Sequence, residues 1–338
     1  MKSIKIISII LSLCIMSSLQ AKTFKIATSA PDGSFWMTQM RQGAKEVKKA
    51  TQGRVKFKYY PGGVMGSESV ALKKIRIGQL QGVAVSNGAL AKIYPDSQIY
   101  ALPMVFNSFE EVDYIRNVLD KTIIEGLDKG GMISFGLSEG GFTYPMSIYP
   151  IQNTTDLNQH KIWTPTNNKQ AEITLKSFGI SPIPLNLGDV LAGLQTNLID
   201  TVAVSPIAAI ALQWHTQIKY ITKIPLTYTY ATLVIDKKSF KKISKEDQKT
   251  VKHIMFKTFS RIDKQNRKDN IAAFSAMINQ GINVILPKDK SLNEWYKKGK
   301  VARHFIEDQG VLSNDIYTNI TSLLSTYRKK QEMLGEAE

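Results

Sequence analysis

"SKEDQKTVKHIMFKTFSRIDKQNRKDNIAAFSAMINQG", residues 244–281, has no proline, and no glycine before Gly281. Nothing in it interrupts an i→i−4 hydrogen-bond ladder, and Ser244 with Asp247 forms a capping box at its start. At 1.5 Å per residue the predicted helix is roughly 55 Å long. That exceeds the width of a lobe of ~150 residues, so the helix is predicted to run across two lobes. Its buried face is predicted to carry Val251, Ile254, Ile262, Phe274 and Ile278.

The sequence before this helix alternates. "TFKIATSA" (23–30), "RVKFKYYP" (54–61) and "GVAVSN" (82–87) read as strands, separated by the amphipathic stretches "PDGSFWMTQMRQGAKEVKKAT" and "SESVALKKIRIGQ". A helix, "SFEEVDYIRNVLDKTIIEGLDKGG", and a strand, "MISFGLSEG" (132–140), follow. After "YPMSIYPI" the rhythm restarts with "HKIWTP", "NKQAEITLKSFG", "SPIPLN", "LGDVLAGLQTNL" and "IDTVAVSP". Strand–helix–strand units of this kind predict parallel sheets covered by helices. The expected fold is α/β and two-lobed, with mixed sheets flanked by helices and the lobes joined at about residue 146. Lobe I is expected at 22–146 plus 229–272, and lobe II at 147–228 plus 273–338.

Residues 1–21 read as a secretory leader. Lys2 and Lys5 precede an apolar run from Ile6 to Met16, and small residues lead to a cleavage site after Ala21. Leu13 before Cys14 argues against a lipoprotein site. The chain left after cleavage has 338 − 21 = 317 residues and no cysteine. Disulfides, thiolate metal sites and cysteine nucleophiles are thereby excluded, and an envelope location, the periplasm, is expected. The formal charge of +16 falls to +14 when Lys2 and Lys5 are removed. The lysines are scattered through helical stretches without interleaved aromatics, so the excess reads as a solvated surface and not as a nucleic-acid site.

Motifs for chemistry are weak. "GLSEG" (136–140) has the G-x-S-x-G spacing, but "GFTYPMSIYP" with Pro145 and Pro150 cannot supply the helix that a nucleophile elbow at Ser138 requires. "PGGVMGSES" (61–69) precedes a helix without the phosphate-loop lysine, and reads as a tight turn. His160, His215, His253 and His304 stand apart, with no acid at ligand spacing, so neither a metal nor a cofactor is expected. An exported, two-lobed chain without catalytic groups suits a receptor closing on a small solute.

"DLNQHKIWTP" and "LKSFGISPIPLNLGDVLAGLQTNLIDTV" resemble the signature of the DctP family, the extracytoplasmic solute receptors of tripartite ATP-independent periplasmic (TRAP) transporters. "YYPGGVMGSES" and "RIGQLQGVAVSNGAL" are similar to further family patterns, and the resemblance covers essentially the whole exported chain. It implies a non-enzymatic receptor with the two-lobed, type II-like periplasmic binding-protein fold, crossing strands as a hinge and a long helix spanning both lobes, solute capture by lobe closure, and delivery to membrane permease subunits. A monomer is expected, with a dimer left open. The binding protein of an ATP-driven importer, a sensory receptor and an exported hydrolase remain as other readings.

Two departures from the pattern bear on the solute. Where the family has an arginine that grips a carboxylate, this chain has Trp163, and "DTVAVSP" (200–206) replaces an amide-bearing segment. A neutral, aromatic or otherwise hydrophobic solute is therefore expected in place of a simple carboxylate. Trp163 reads either as core or, preferentially, as a stacking wall of the cleft. The other expected ligand-binding residues are Phe35, Trp36, Asn87, Phe142, Tyr144, Leu187 and Val204. Gln170 and Asp189 read as helix-surface or capping groups.

Overall fold

The computed structural model describes residues 21–335, so the leader read at 1–21 lies outside the described residues except for Ala21. The first half is built from β1 (Lys22–Thr28), α1 (Phe35–Ala50), β2 (Val55–Tyr60), α2 (Glu68–Arg76), β3 (Gly82–Ser86), α3 (Asn87–Leu90), α4 (Phe109–Lys129), β4 (Met132–Ser134) and β5 (Ser138–Ser147). Then come β6 (Trp163–Pro165), α5 (Lys169–Ser177), β7 (Ile183–Leu185), α6 (Val190–Gln195), β8 (Thr201–Val204), α7 (Pro206–Ala211) and β9 (Tyr220–Thr222). β10 (Thr227–Asp236), α8 (Lys237–Phe240), α9 (Lys245–Asn279), β11 (Asn283–Ile285), α10 (Asp289–Asp308) and α11 (Asn314–Gly335) complete the described chain.

Both lobes use one strand order. In the first, β2, β1 and β3 are parallel neighbours, β10 runs antiparallel beside β3, and β4 lies beyond it. In the second, β7 and β6 are parallel, a parallel bridge from Ile162 to Thr201 brings β8 alongside, β5 runs antiparallel beside β8, and β9 lies beyond. β11 extends that sheet past β9. Each sheet thus borrows one antiparallel strand delivered by the other half of the chain. β5 and β10 also pair with each other, from Ser138↔Ala231 to Thr143↔Thr227, so the link between the lobes is a two-stranded ribbon.

The stretch expected as one strand over 132–140 is two. Gly136, at φ +135°, turns the chain between β4 and β5, and β5 continues through the segment where the pattern was expected to break. Pro145 sits inside β5, which makes the ribbon invisible to a reading that treats proline as a strand stop.

α9 crosses both lobes, as the uninterrupted stretch requires. Its buried stripe runs Val251, Met255, Phe259, Ile262, Asn266, Asn270, Ala273 and Met277, a spacing of three or four throughout. Ile278 is exposed and Phe274 and Ile254 are half-buried, because the stripe passes through Met277 and Ala273 instead. Each fully buried large side chain of the stripe contributes roughly 1.5–3 kcal/mol. The start of the helix also differs from expectation. Ser244 Oγ accepts from Asp247 N at 3.0 Å, but the Asp247 carboxylate is held by Arg54 Nε and Nη2 at 3.0 and 2.8 Å, which pins α9 to the loop before β2.

Candidate functional site

A cleft of about 940 Å³ opens between the two sheets. Its floor is the crossing ribbon, with Ser138, Gly140, Thr143 and Pro145 from β5 and Thr227, Thr229 and Ala231 from β10. One wall is the turn before α2. Gly62 and Gly63, at φ +65° and +72°, donate backbone N–H groups to the carbonyls of Ala30 and Thr28, conformations a glycine adopts without a Cβ penalty. The glycine-rich stretch read as a tight turn is one, and it also lines the cleft.

Trp163 is both core and wall. It is 7% exposed, its ring meets Trp214 edge-on at 5.2 Å, and its Nε1–H donates to the Leu185 carbonyl at 3.1 Å. Both indoles line the cleft. Asp200 fixes the strand that carries Trp163. Its Oδ1 accepts from Lys161 N at 3.0 Å and from Thr201 Oγ1 at 2.8 Å, and lies 3.1 Å from His160 Nδ1. Burial pushes the Asp200 carboxyl upward, but the hydrogen bonds from His160, Thr201 and Lys161 N outweigh it and leave the group below the usual carboxylate value.

Trp36, Asn87, Leu187 and Val204 line the cleft with Trp163, whereas Phe35, Phe142 and Tyr144 do not. Phe35 opens α1 with 40% of its surface exposed. Phe142 packs on Phe109 at 4.8 Å and Tyr228 at 5.7 Å, and Tyr144 packs on Phe274 of α9 at 5.8 Å. The cause is a bulge: Glu139 pairs with Tyr230 and Gly141 with Thr229, leaving Gly140 as the extra residue. The cleft side of β5 therefore switches from Ser138 and Gly140 to Thr143 and Pro145, and Phe142 and Tyr144 turn away.

Five polar residues of the cleft were missed or misread. Glu68 opens α2 on the cleft wall, and its carboxylate accepts from Ser86 N at 3.0 Å and Ser86 Oγ at 2.8 Å. Burial raises its carboxyl above the usual value, with the Ser86 bonds opposing. Lys92 makes no ion pair among the described residues. Gln170, expected on a helix surface, is 2% exposed and faces the other lobe. Glu139 is buried against Arg267, whose Nε stands 2.6 Å from Oε2, and burial pushes its carboxyl up against that pairing. Asp189 is exposed at the cleft rim and makes no side-chain cap for α6.

Among the described residues, no arginine lines the cleft, and Lys92 is the one cation that does. Two histidines meet acids, contrary to the sequence reading: His160 with Asp200, and His304 with Asp308 at 3.4 Å on the exposed face of α10. Ser138 lies in a strand, its Oγ donating to the Ala231 carbonyl at 3.0 Å. No described helix is long and apolar enough to cross a membrane.

The family model for DctP, bacterial extracellular solute-binding protein family 7, matches residues 26–308. The sialic acid-binding periplasmic protein SiaP of Vibrio cholerae is 24% identical over 295 residues, covering 85% of this chain and 90% of that protein. YiiZ of Salmonella typhimurium, an uncharacterised protein, is 29% identical over 160 residues, covering 46% of this chain and about half, 48%, of its own length. A TRAP periplasmic solute-binding protein from Xanthobacter autotrophicus Py2, solved with bound β-D-galacturonate, superposes with a TM-score of 0.81 at 19% identity, covering 89% of this chain and 99% of that one. With the shared two-lobed architecture, a family match over most of its length makes this chain a member of the DctP family of bacterial extracellular solute-binding proteins.

Proposed function

We propose that this chain is an exported TRAP receptor that captures a small solute between its lobes and delivers it to a membrane permease pair, without acting as an enzyme. In this reading residues 22–146 with 229–272 and residues 147–228 with 273–338 close as two bodies about the crossing ribbon, after removal of the leader at Ala21. The solute is neutral, aromatic or otherwise apolar-faced: its flat part lies against Trp163 and Trp214, and its polar part is met by hydrogen-bonding groups such as Asn87. The observation that carries this reading is the lining itself, in which no described arginine stands ready for a carboxylate and the acids Glu68 and Asp189 outnumber Lys92, the carboxylate of Glu139 being taken by Arg267. An acid enclosed there would be desolvated without the bidentate partner that offsets the cost. The solutes named for the relatives, sialic acid and β-D-galacturonate, are carboxylates and mark the chemistry to be tested first.

The test is native mass spectrometry of the protein as purified, followed by calorimetry on protein stripped of its solute. Expected is a co-purified neutral or aromatic molecule, binding at least tenfold more tightly than galacturonate or sialic acid. Submicromolar binding of either acid overturns the solute assignment, and failure of the periplasmic fraction to contain the processed chain overturns export.

A further inference from the structure

Gln170 stands in the first turn of α5, on the second-lobe wall. Its Nε2 donates to the carbonyl of Gln98 at 3.3 Å, and Gln98 belongs to the first lobe, in the 3₁₀ turn Pro95–Ala101. The two lobes meet along this seam: a Cβ on Gly88 would stand 2.5 Å from Asn168 Nδ2. The partner of the Gln170 amide is a carbonyl, which accepts only. The amide must therefore turn its nitrogen to Gln98, since the flipped arrangement would oppose two acceptors. Oε1 is fixed as the remaining end, and it is buried with no hydrogen-bond partner. Thr164 Oγ1, one residue beyond Trp163, is likewise buried and unpartnered, and Thr164 is 4% exposed. Both residues line the same cleft. Unsatisfied buried polar atoms are rare enough in folded proteins to call for a partner. With the Nε1 donor of Trp295, also buried, unpartnered and on a lining residue, Gln170 Oε1 and Thr164 Oγ1 make three at one ligand cleft and call for the ligand.

We propose that Gln170 Oε1 selects a solute that brings a hydrogen-bond donor, an amide or amine N–H or a hydroxyl, with the Thr164 hydroxyl, which can donate or accept, as a second polar contact. This rests on the receptor reading above and adds to it the polar half of the solute. Selection is tied to closure, because the contact with Gln98 that orients the acceptor exists only when the lobes meet. A solute offering acceptors alone leaves Oε1 unpaired inside the closed cleft and is rejected.

The experiment uses the processed protein, stripped of solute, and matched probes that differ by blocking of the donor: benzamide against N,N-dimethylbenzamide, and phenol against anisole, together with whatever molecule co-purifies. Calorimetry is expected to give at least a tenfold preference for the donor-bearing member. Gln170→Met keeps length and removes the acceptor, and is expected to reduce that ratio below threefold with binding retained. Gln170→Glu keeps an acceptor but opposes the Gln98 carbonyl, and is expected to weaken every probe while the preference survives. Equal affinities within each pair, a preference that persists in Gln170→Met, or a co-purified solute with no N–H or O–H overturns the proposal and leaves the receptor reading standing. If no probe and no co-purified solute binds, and small-angle scattering detects no closure, the receptor reading fails and takes this inference with it.

Discussion

Trp163 was legible as a candidate from its type and place, but its state depends on residues far away in sequence. Its N–H is taken by Leu185, its edge by Trp214, and its strand is anchored by Asp200. A purely cleft-facing platform could be truncated at little cost to folding, whereas this ring also fills the second-lobe core. Trp163→Ala should therefore lower stability by about 3–5 kcal/mol in urea unfolding as well as weaken solute binding. A loss under 1 kcal/mol would show that the ring is not part of that core. Gln170 illustrates the opposite limit. A glutamine early in a helix looks solvated in sequence, and only the approach of Gln98 from the other lobe buries it.

Among the elements, α9 was readable almost whole because an α-helix is local: uninterrupted helix formers and a Ser244 cap decide it before any tertiary contact forms. The middle of its buried face was not readable, because it is polar. Asn266 Nδ2 donates to the Glu139 carbonyl at 2.7 Å and Asn270 Nδ2 to the Gly140 carbonyl at 3.1 Å, where the helix passes over the bulge in β5. That bulge also turns Phe142 and Tyr144 away from the cleft, and the sequence around it carries no local sign of the extra residue. Gly141 sits there at φ +90°, and a Cβ would lie 2.6 Å from Asn270 Nδ2. Gly141→Ala should cost about 1–3 kcal/mol in thermal or urea unfolding through backbone strain and the displaced Asn270 contact. An unchanged unfolding midpoint would mean that the ribbon tolerates another backbone path there.

At the scale of the whole molecule, the proposed closure of the lobes on a solute makes the seam between them the place where affinity is tested, because strain that forms only on closing opposes solute binding. Gly88 has no special φ, yet an added Cβ would meet Asn168, whose Oδ1 already caps α5 by accepting from Ala171 N at 3.0 Å. Gly88→Ala should therefore weaken solute binding by roughly tenfold in calorimetry, with the unfolding midpoint of the solute-free protein unchanged. Equal loss of midpoint and affinity would place the effect in folding instead. The sequence by itself determined the alternating elements, the long helix and the two-lobed α/β class, because periodicity, caps and turn residues act over a few neighbours. Only the tertiary structure decided which faces meet across the cleft: the exchange of β5 and β10, the bulge at Gly140 and the Gln98–Gln170 contact join residues 70 to 100 positions apart, and no local pattern encodes such distances.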